Sequence, residues 1–339
     1  MSETTCEKTD NFIQRIPMLK MTLFLMILSL GFQAQEPIVP RKTKPEVVST
    51  VAFTEGPAYH LDGSVYFTDV SNNRIMRSAP GPKPGAPRVI EVFRHPSGRA
   101  NGLVFDLEGR LVACEGGSRR VTRTEHDGRI TVLAESYQGK PFNSPNDIDV
   151  DAQGRLYFTD PRYGDRSGME LDKEAVYRID PDGKVTRVID DLERPNGIAV
   201  SPDQKTLYLV DNNNQVGGSR KIFAYELRAD GSTGKRRVIH DFGLSRGGDG
   251  MCLDSRGNLY VAAGLNTPNP PSESGPGRAG VYIFSPTGKQ IGAIPIPEDA
   301  VTNCTFGDPD LKTLYITAGK SLFRIRLNIT GHVLWPKAK

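Results

Sequence analysis

Two carboxylates and four amides recur in phase along this chain, a set able to hold a hard cation. They are Glu55 in F-T-E-G-P, Asn101 in R-A-N-G-L, Asn146 in S-P-N-D-I, Asn196 in R-P-N-G-I, Asp249 in G-G-D-G-M and Asn303 in V-T-N-C-T. Unpaired carboxylates brought into one place repel and raise each other's pKa, and a divalent cation balances them. The amides offer neutral oxygens. With no imidazole and no thiolate in the set, one hard divalent ion is expected. Calcium comes first because it accepts about six to eight oxygens in irregular geometry; magnesium, manganese and zinc are the alternatives.

Successive members of the set lie 46, 45, 50, 53 and 54 positions apart. A period of about 40–50 residues with several strands per repeat marks a β-propeller. Its innermost strands surround one channel, so equivalent residues at their starts converge. The expected fold is all-β: a six-bladed propeller of four-stranded antiparallel blades around a central metal-binding channel. In the third unit, residues 146–150, 156–160, 175–180 and 184–189 read as strands, with Pro181-Asp182-Gly183 as a turn. Pro presets φ there and Gly accepts a positive φ. The stretch 46–53 has no blade of its own and is assigned as the outer strand of blade six, paired with 322–327. Two long loops, 161–171 and 264–277, are expected to roof the channel mouth.

Single motifs have plainer readings. Asn-Gly is a common hairpin turn, which leaves Asn101-Gly102 and Asn196-Gly197 open to that role if taken alone. Asp69, Asp160 and Asp211 close their strands and are read as partners of backbone amides. The five histidines are scattered, and no Ser-His-Asp order, nucleophile elbow or phosphate loop is present.

The net charge of +3, without a dense Lys/Arg block, excludes a nucleic-acid partner from the expected functions. Thr22–Phe32 is an uncharged apolar run behind Arg15 and Lys20. It is short for a membrane span of about 20 residues and fits a secretory leader. The expected organisation is a signal peptide over 1–34, a linker over 35–45 and the propeller over 46–339. The location is then periplasmic or secreted, with no stable membrane insertion after processing. Cys114, Cys252 and Cys304 lack zinc spacing and read as buried thiols, with a Cys252–Cys304 bridge available if the inner strands bring them together.

T-E-G-P, S-P-N-D, R-P-N-G-I-A-V-S-P-D and G-D-G-M-C-L-D, in this order, resemble the senescence-marker-protein/gluconolactonase/luciferin-regenerating family. The resemblance covers residues 51–327. Asn101-Gly-Leu and the Cys114–Arg120 stretch are similar to its bacterial gluconolactonase branch. The resemblance implies a six-bladed propeller with one channel metal. It implies metal ligands at Glu55, Asn146, Asn196 and Asp249, and an acid/base at Asp249. The small-molecule substrate it implies is a sugar lactone such as an aldono-1,5-lactone. The chain departs from the family's animal lactonases at Ser144, where they carry Arg. Substrate contacts are therefore sought at Asn101, Glu115, Arg162, Tyr163 and Arg246. The rival readings are phosphotriester or fluorophosphate hydrolysis, as in the similar diisopropyl fluorophosphatase propellers, and a non-catalytic, metal-stabilised binding propeller.

Overall fold

A computed structural model describes residues 36–334 except position 84. The expected leader, over 1–34, lies outside the described residues. Every regular element within them is a strand.

The repeat folds as six antiparallel blades. Their inner strands are Thr54–Tyr59, Ala100–Phe105, Ile148–Val150, Pro195–Val200, Gly248–Asp254 and Val301–Gly307. Each inner strand packs on the next, and the sixth packs on the first, which closes a ring. Blade three shows the plan: Ile148–Val150, Leu156–Asp160, Ala175–Ile179 and Val185–Ile189 pair in sequence. Its inner strand begins two residues later than the alternation predicts. Asn146 and Asp147 still engage Thr159 through backbone bonds of 2.9 and 3.0 Å.

Second strands such as Val65–Asp69 and Leu156–Asp160 are buried throughout. The reason is stacking: blades meet face to face, so both faces of a middle strand are covered. Val112 and Cys114 of blade two thus share a core with Ile148, Phe158 and Tyr177 of blade three. A second repeat lies in the first hairpin. Asp151 and Asp254 close their inner strands and accept hydrogen bonds from the following turn, and each also accepts one at 3.1 Å from a tyrosine of the second strand, Tyr157 or Tyr260.

Glu46–Thr50 is the outer strand of blade six, pairing with Ser321–Arg326 through Glu46↔Arg324 and Val47↔Phe323. The first strand of the described chain therefore completes the sheet of blade six, which leaves that blade no unpaired outer edge in Ser321–Arg326. The expected linker carries no strand over residues 36–45 but is not detached. Ile38 and Val39 pack against the core between blades five and six, and Ile38 O accepts from Asn328 N at 2.9 Å. Apolar side chains beside an uncovered core edge bury there rather than stay in water. The C-terminal pairing was also unexpected: Gly331–His332 adds a fifth strand to blade five, against Leu253 and Asp254.

Candidate functional site

The ring brings all six motifs to one end of the channel. Gly102 N donates to Asn146 O at 2.6 Å, joining motifs two and three. Thr302 Oγ1 donates to Thr54 O at 2.9 Å, joining six and one. A Cβ on Gly56 would collide with Asn101 O, one on Gly197 with Asp249 O, and one on Gly250 with the Asn303 side chain. The glycine after the polar residue is thus the seat of the next blade's motif, and close backbone approach requires it. In five inner strands the pairing slips beside the motif, at Glu55/Ala58, Ala100/Leu103, Pro195/Ile198, Gly248/Met251 and Val301/Asn303. Such bulges re-aim side chains next to active sites.

The strand-closing aspartates hold the motifs from behind. Asp69 accepts from Ala52 N and Phe53 N, Asp160 from Asn143 N and Ser144 N, and Asp211 from Glu193 N and Arg194 N. Each clamps the two residues leading to Glu55, Asn146 or Asn196.

Glu55 is buried, and its Oε2 accepts from Gly56 N at 3.0 Å. Burial, then Asp249, then Asp147 hold its carboxyl well above the usual range. Asp249 is raised by burial against the opposing charge of Arg246, whose Nη2 donates to Asp249 Oδ2 at 2.7 Å. Asn101 Oδ1 is buried without a hydrogen-bond partner. The Asn146 side chain has none among the described residues. Asn196 Nδ2 donates to Tyr163 Oη at 2.9 Å, and Tyr163 Oη donates to Asn212 O at 3.2 Å. Asn303 sits apart from this set: its Oδ1 accepts from Cys304 N, and its Nδ2 reaches across the channel to Asp147 Oδ2 at 3.3 Å.

The donor set suits a hard divalent ion. Two mutually repelling buried carboxylates share one positive charge, Arg246, against their two negative ones, and the buried Asn101 Oδ1 has no hydrogen-bond partner among the described residues, which costs free energy unless something fills it. No group of three His, Cys, Asp or Glu able to hold a metal occurs among the described residues, so amide oxygens must complete any cation site.

The substrate residues expected from sequence divide into two groups. Arg246, Tyr163 and Asn101 face the ring. Glu115 is fully buried, with Arg94, Arg120 and Thr122 on its two oxygens. Arg162 donates from Nε to Asp165 O and from Nη1 to Asn143 O, both at 2.8 Å. These two side chains are committed to the scaffold.

Sequence reasoning missed Glu273 and Arg194. Glu273 is buried in the loop over blade five, next to Asn269 Nδ2 at 3.2 Å, and its charge raises Asp249. The length of that loop was the only signal. Arg194, two residues before Asn196, lays its guanidinium 5.2 Å from the Tyr163 ring centre.

Residues 53–320 match the family model described as the SMP-30/Gluconolactonase/LRE-like region. A gluconolactonase of Zymomonas mobilis is 32% identical over 313 residues, covering 84% of this chain and 81% of that one. The solved structure of a gluconolactonase from Xanthomonas campestris superimposes with a TM-score of 0.72 at 30% identity, covering 87% of this chain and 96% of that one. A calcium-binding regucalcin from Agrobacterium tumefaciens shares the fold, with a TM-score of 0.67 at 19% identity over 88% of this chain and 96% of its own.

Proposed function

This chain belongs to the SMP-30/gluconolactonase/LRE-like family, and we propose that it hydrolyses a sugar lactone, opening an aldono-1,5-lactone to the aldonic acid. One observation carries this reading. Asp249 is buried in the motif ring, where its charge raises the Glu55 carboxyl and its Oδ2 pairs with Arg246, and the ring amide of Asn101 has a buried Oδ1 without a partner among the described residues.

Glu55, Asn146, Asn196 and Asp249 would hold one divalent cation, calcium first. When bound, such an ion supplies polarisation of the lactone carbonyl and charge stabilisation as the ring opens. The protein's own part is proton transfer and orientation. Asp249 takes a proton from the attacking water and returns it to the ring oxygen as that oxygen leaves. The Arg246 ion pair counters burial and favours the ionised carboxylate that this step requires. Tyr163 and Asn212 fix the amide of Asn196 from behind. Arg246 and Asn101 lie where sugar hydroxyls would meet them. Buried Glu273 adds an acceptor from the roof.

The test is a panel of aldonolactones, with a phosphotriester alongside, on metal-stripped protein refilled with calcium, magnesium, manganese or zinc. Acid release is followed at constant pH. Lactone opening that needs a refilled ion supports the reading. Turnover of the phosphotriester alone, or of nothing in the panel, overturns it. Export is proposed as well, from the apolar run at 22–32. Sequencing the N-terminus of protein recovered outside the cytoplasm tests it, with a start near Gln35 expected and an intact leader contrary.

A further inference from the structure

Below the ring, the channel holds a cavity of about 100 Å³, lined by Asp149, Cys252, Cys304 and His332 among others. Cys252 lies on the inner strand of blade five and Cys304 on that of blade six, and these strands pack side by side. Their Sγ atoms are 3.4 Å apart. After the polar residue of the motif, the other blades carry Gly56, Gly102, Asp147, Gly197 and Gly250. Blade six alone places a thiol there, and that thiol meets the thiol of its neighbour. Cys114 is different: its buried sulfur donates to Asp147 O at 3.8 Å and has no sulfur partner among the described residues.

We propose that Cys252 and Cys304 are a disulfide-forming pair that staples blade five to blade six in an oxidising environment. The sulfurs need to close by little more than an ångström to reach an S–S bond of about 2.05 Å. The strands already touch, so the closure asks for side-chain rotation rather than blade movement. The oxidant is an external disulfide, RSSR. The thiolate of Cys252, the more exposed of the two, attacks one sulfur of RSSR and releases RSH, leaving a mixed disulfide. Cys304 then attacks the Cys252 sulfur and releases the second RSH. Two protein thiols are oxidised, one RSSR becomes two RSH, and the protons pass to the leaving thiolates. Burial and the adjacent sulfur push the Cys252 thiol well above its ordinary pKa. Little thiolate forms in the native state, so the bond forms faster during folding than afterwards. It closes a loop between positions 52 residues apart and ties the blade that carries Asp249 to the blade that closes the ring. The inference is independent of the proposed lactonase activity.

The experiment counts thiols. Full-length protein is refolded in oxidised and reduced glutathione, denatured, alkylated and weighed intact. The expected result is two fewer alkylated thiols than in fully reduced protein, with a non-reduced peptide map joining the Cys252 and Cys304 peptides. Mild reductant should then lower Tm by several degrees in wild type, and by none in Cys252→Ser or Cys304→Ser. Retention of every thiol in the oxidising buffer, or linkage through Cys114 or between chains, overturns the proposal. Because the thiol count and map are made on wild type, a variant that fails to fold does not weaken the test.

Discussion

Gly102→Ala probes whether the motif ring, and not merely the residues in it, makes the site. Gly102 is buried where blades two and three meet. A Cβ built there would stand 2.6 Å from Asn146 O and 2.7 Å from both Asp147 Cα and Asp147 Oδ1, where ordinary contact begins at 3.4 Å. The backbone φ is unexceptional, so the penalty is packing alone. The obstacle is mostly backbone and cannot swing aside. Gly102 N also donates to Asn146 O at 2.6 Å, so relief requires the inner strands to part by roughly 0.8 Å and that bond to lengthen. Overpacking of this kind costs about 1–3 kcal/mol, which lowers Tm by roughly 2–12 °C at about 2–4 °C per kcal/mol. The same shift moves Asn146 away from Glu55 and Asp249. A misplacement of about 1 Å can cost on the order of 10²-fold in rate, so a loss of about 10–100-fold in kcat/KM is expected, together with weaker cation binding. The assays are thermal melting, calcium titration and lactone turnover. Gly292→Ala is the control: its nearest neighbour is the flexible Ile283 Cδ1 at 3.2 Å, and it should behave as wild type. Should Gly102→Ala match that control in melting, calcium affinity and turnover, the close seating of blade three on Gly102 does not set the site's geometry.

Three further outcomes follow from the same structure. Asp249→Asn, assayed at saturating cation, should lose about 10²–10⁴-fold in kcat; a wild-type rate would leave Asp249 a ligand only, with Asp147 the next base to test. Calcium binding should expel a proton, because burial and Asp249 keep Glu55 protonated at a pH where a free carboxyl is ionised; affinity should therefore rise with pH through that range. Calorimetry in buffers of different ionisation heat checks it, with no buffer dependence as the contrary result, and Glu55→Gln should both weaken binding and abolish the release. A chain starting at Glu46 should melt below one starting at Pro37, since it lacks the packing of Ile38 and Val39. One starting at Thr54 should melt lower still, since it bares the edge of Ser321–Arg326; equal melting of all three would refute the closure.

Much of the fold was legible because a propeller is built from local instructions. Strand alternation, the Pro181-Asp182-Gly183 turn and the aspartates that close inner strands at Asp106, Asp151, Asp254 and Asp308 act within a few residues. Repetition at a near-constant period then names equivalent positions. Glu55, Asn101, Asn146, Asn196 and Asp249 could be put in one place from phase alone, as could the outer strand over 46–50. The residue types of the set were legible too: two carboxylates among amides, with no His or Cys.

Much of what those groups bond to was not legible, because partners such as Tyr163 for Asn196 and Asp147 for Asn303 come from another blade or from a loop without period. Glu115 has the residue type of a sugar contact, yet Arg120 of its own blade and Arg94 of blade one converge on it only once the two blades pack. Arg162 likewise turns to the carbonyls of Asn143 and Asp165 instead of the channel. The strand at Gly331–His332 is too short to show any alternation, and only the uncovered edge of Gly248–Asp254 selects it. The charge of Glu273 raises Asp249 because of where the loop from blade five carries it, and the fold of that loop depends on neighbours such as Leu244 and Ser245. Periodic sequence thus determined which residues meet. The packing of blade on blade, across some 50 residues of chain at each step, decided which oxygens are left unsatisfied when they do.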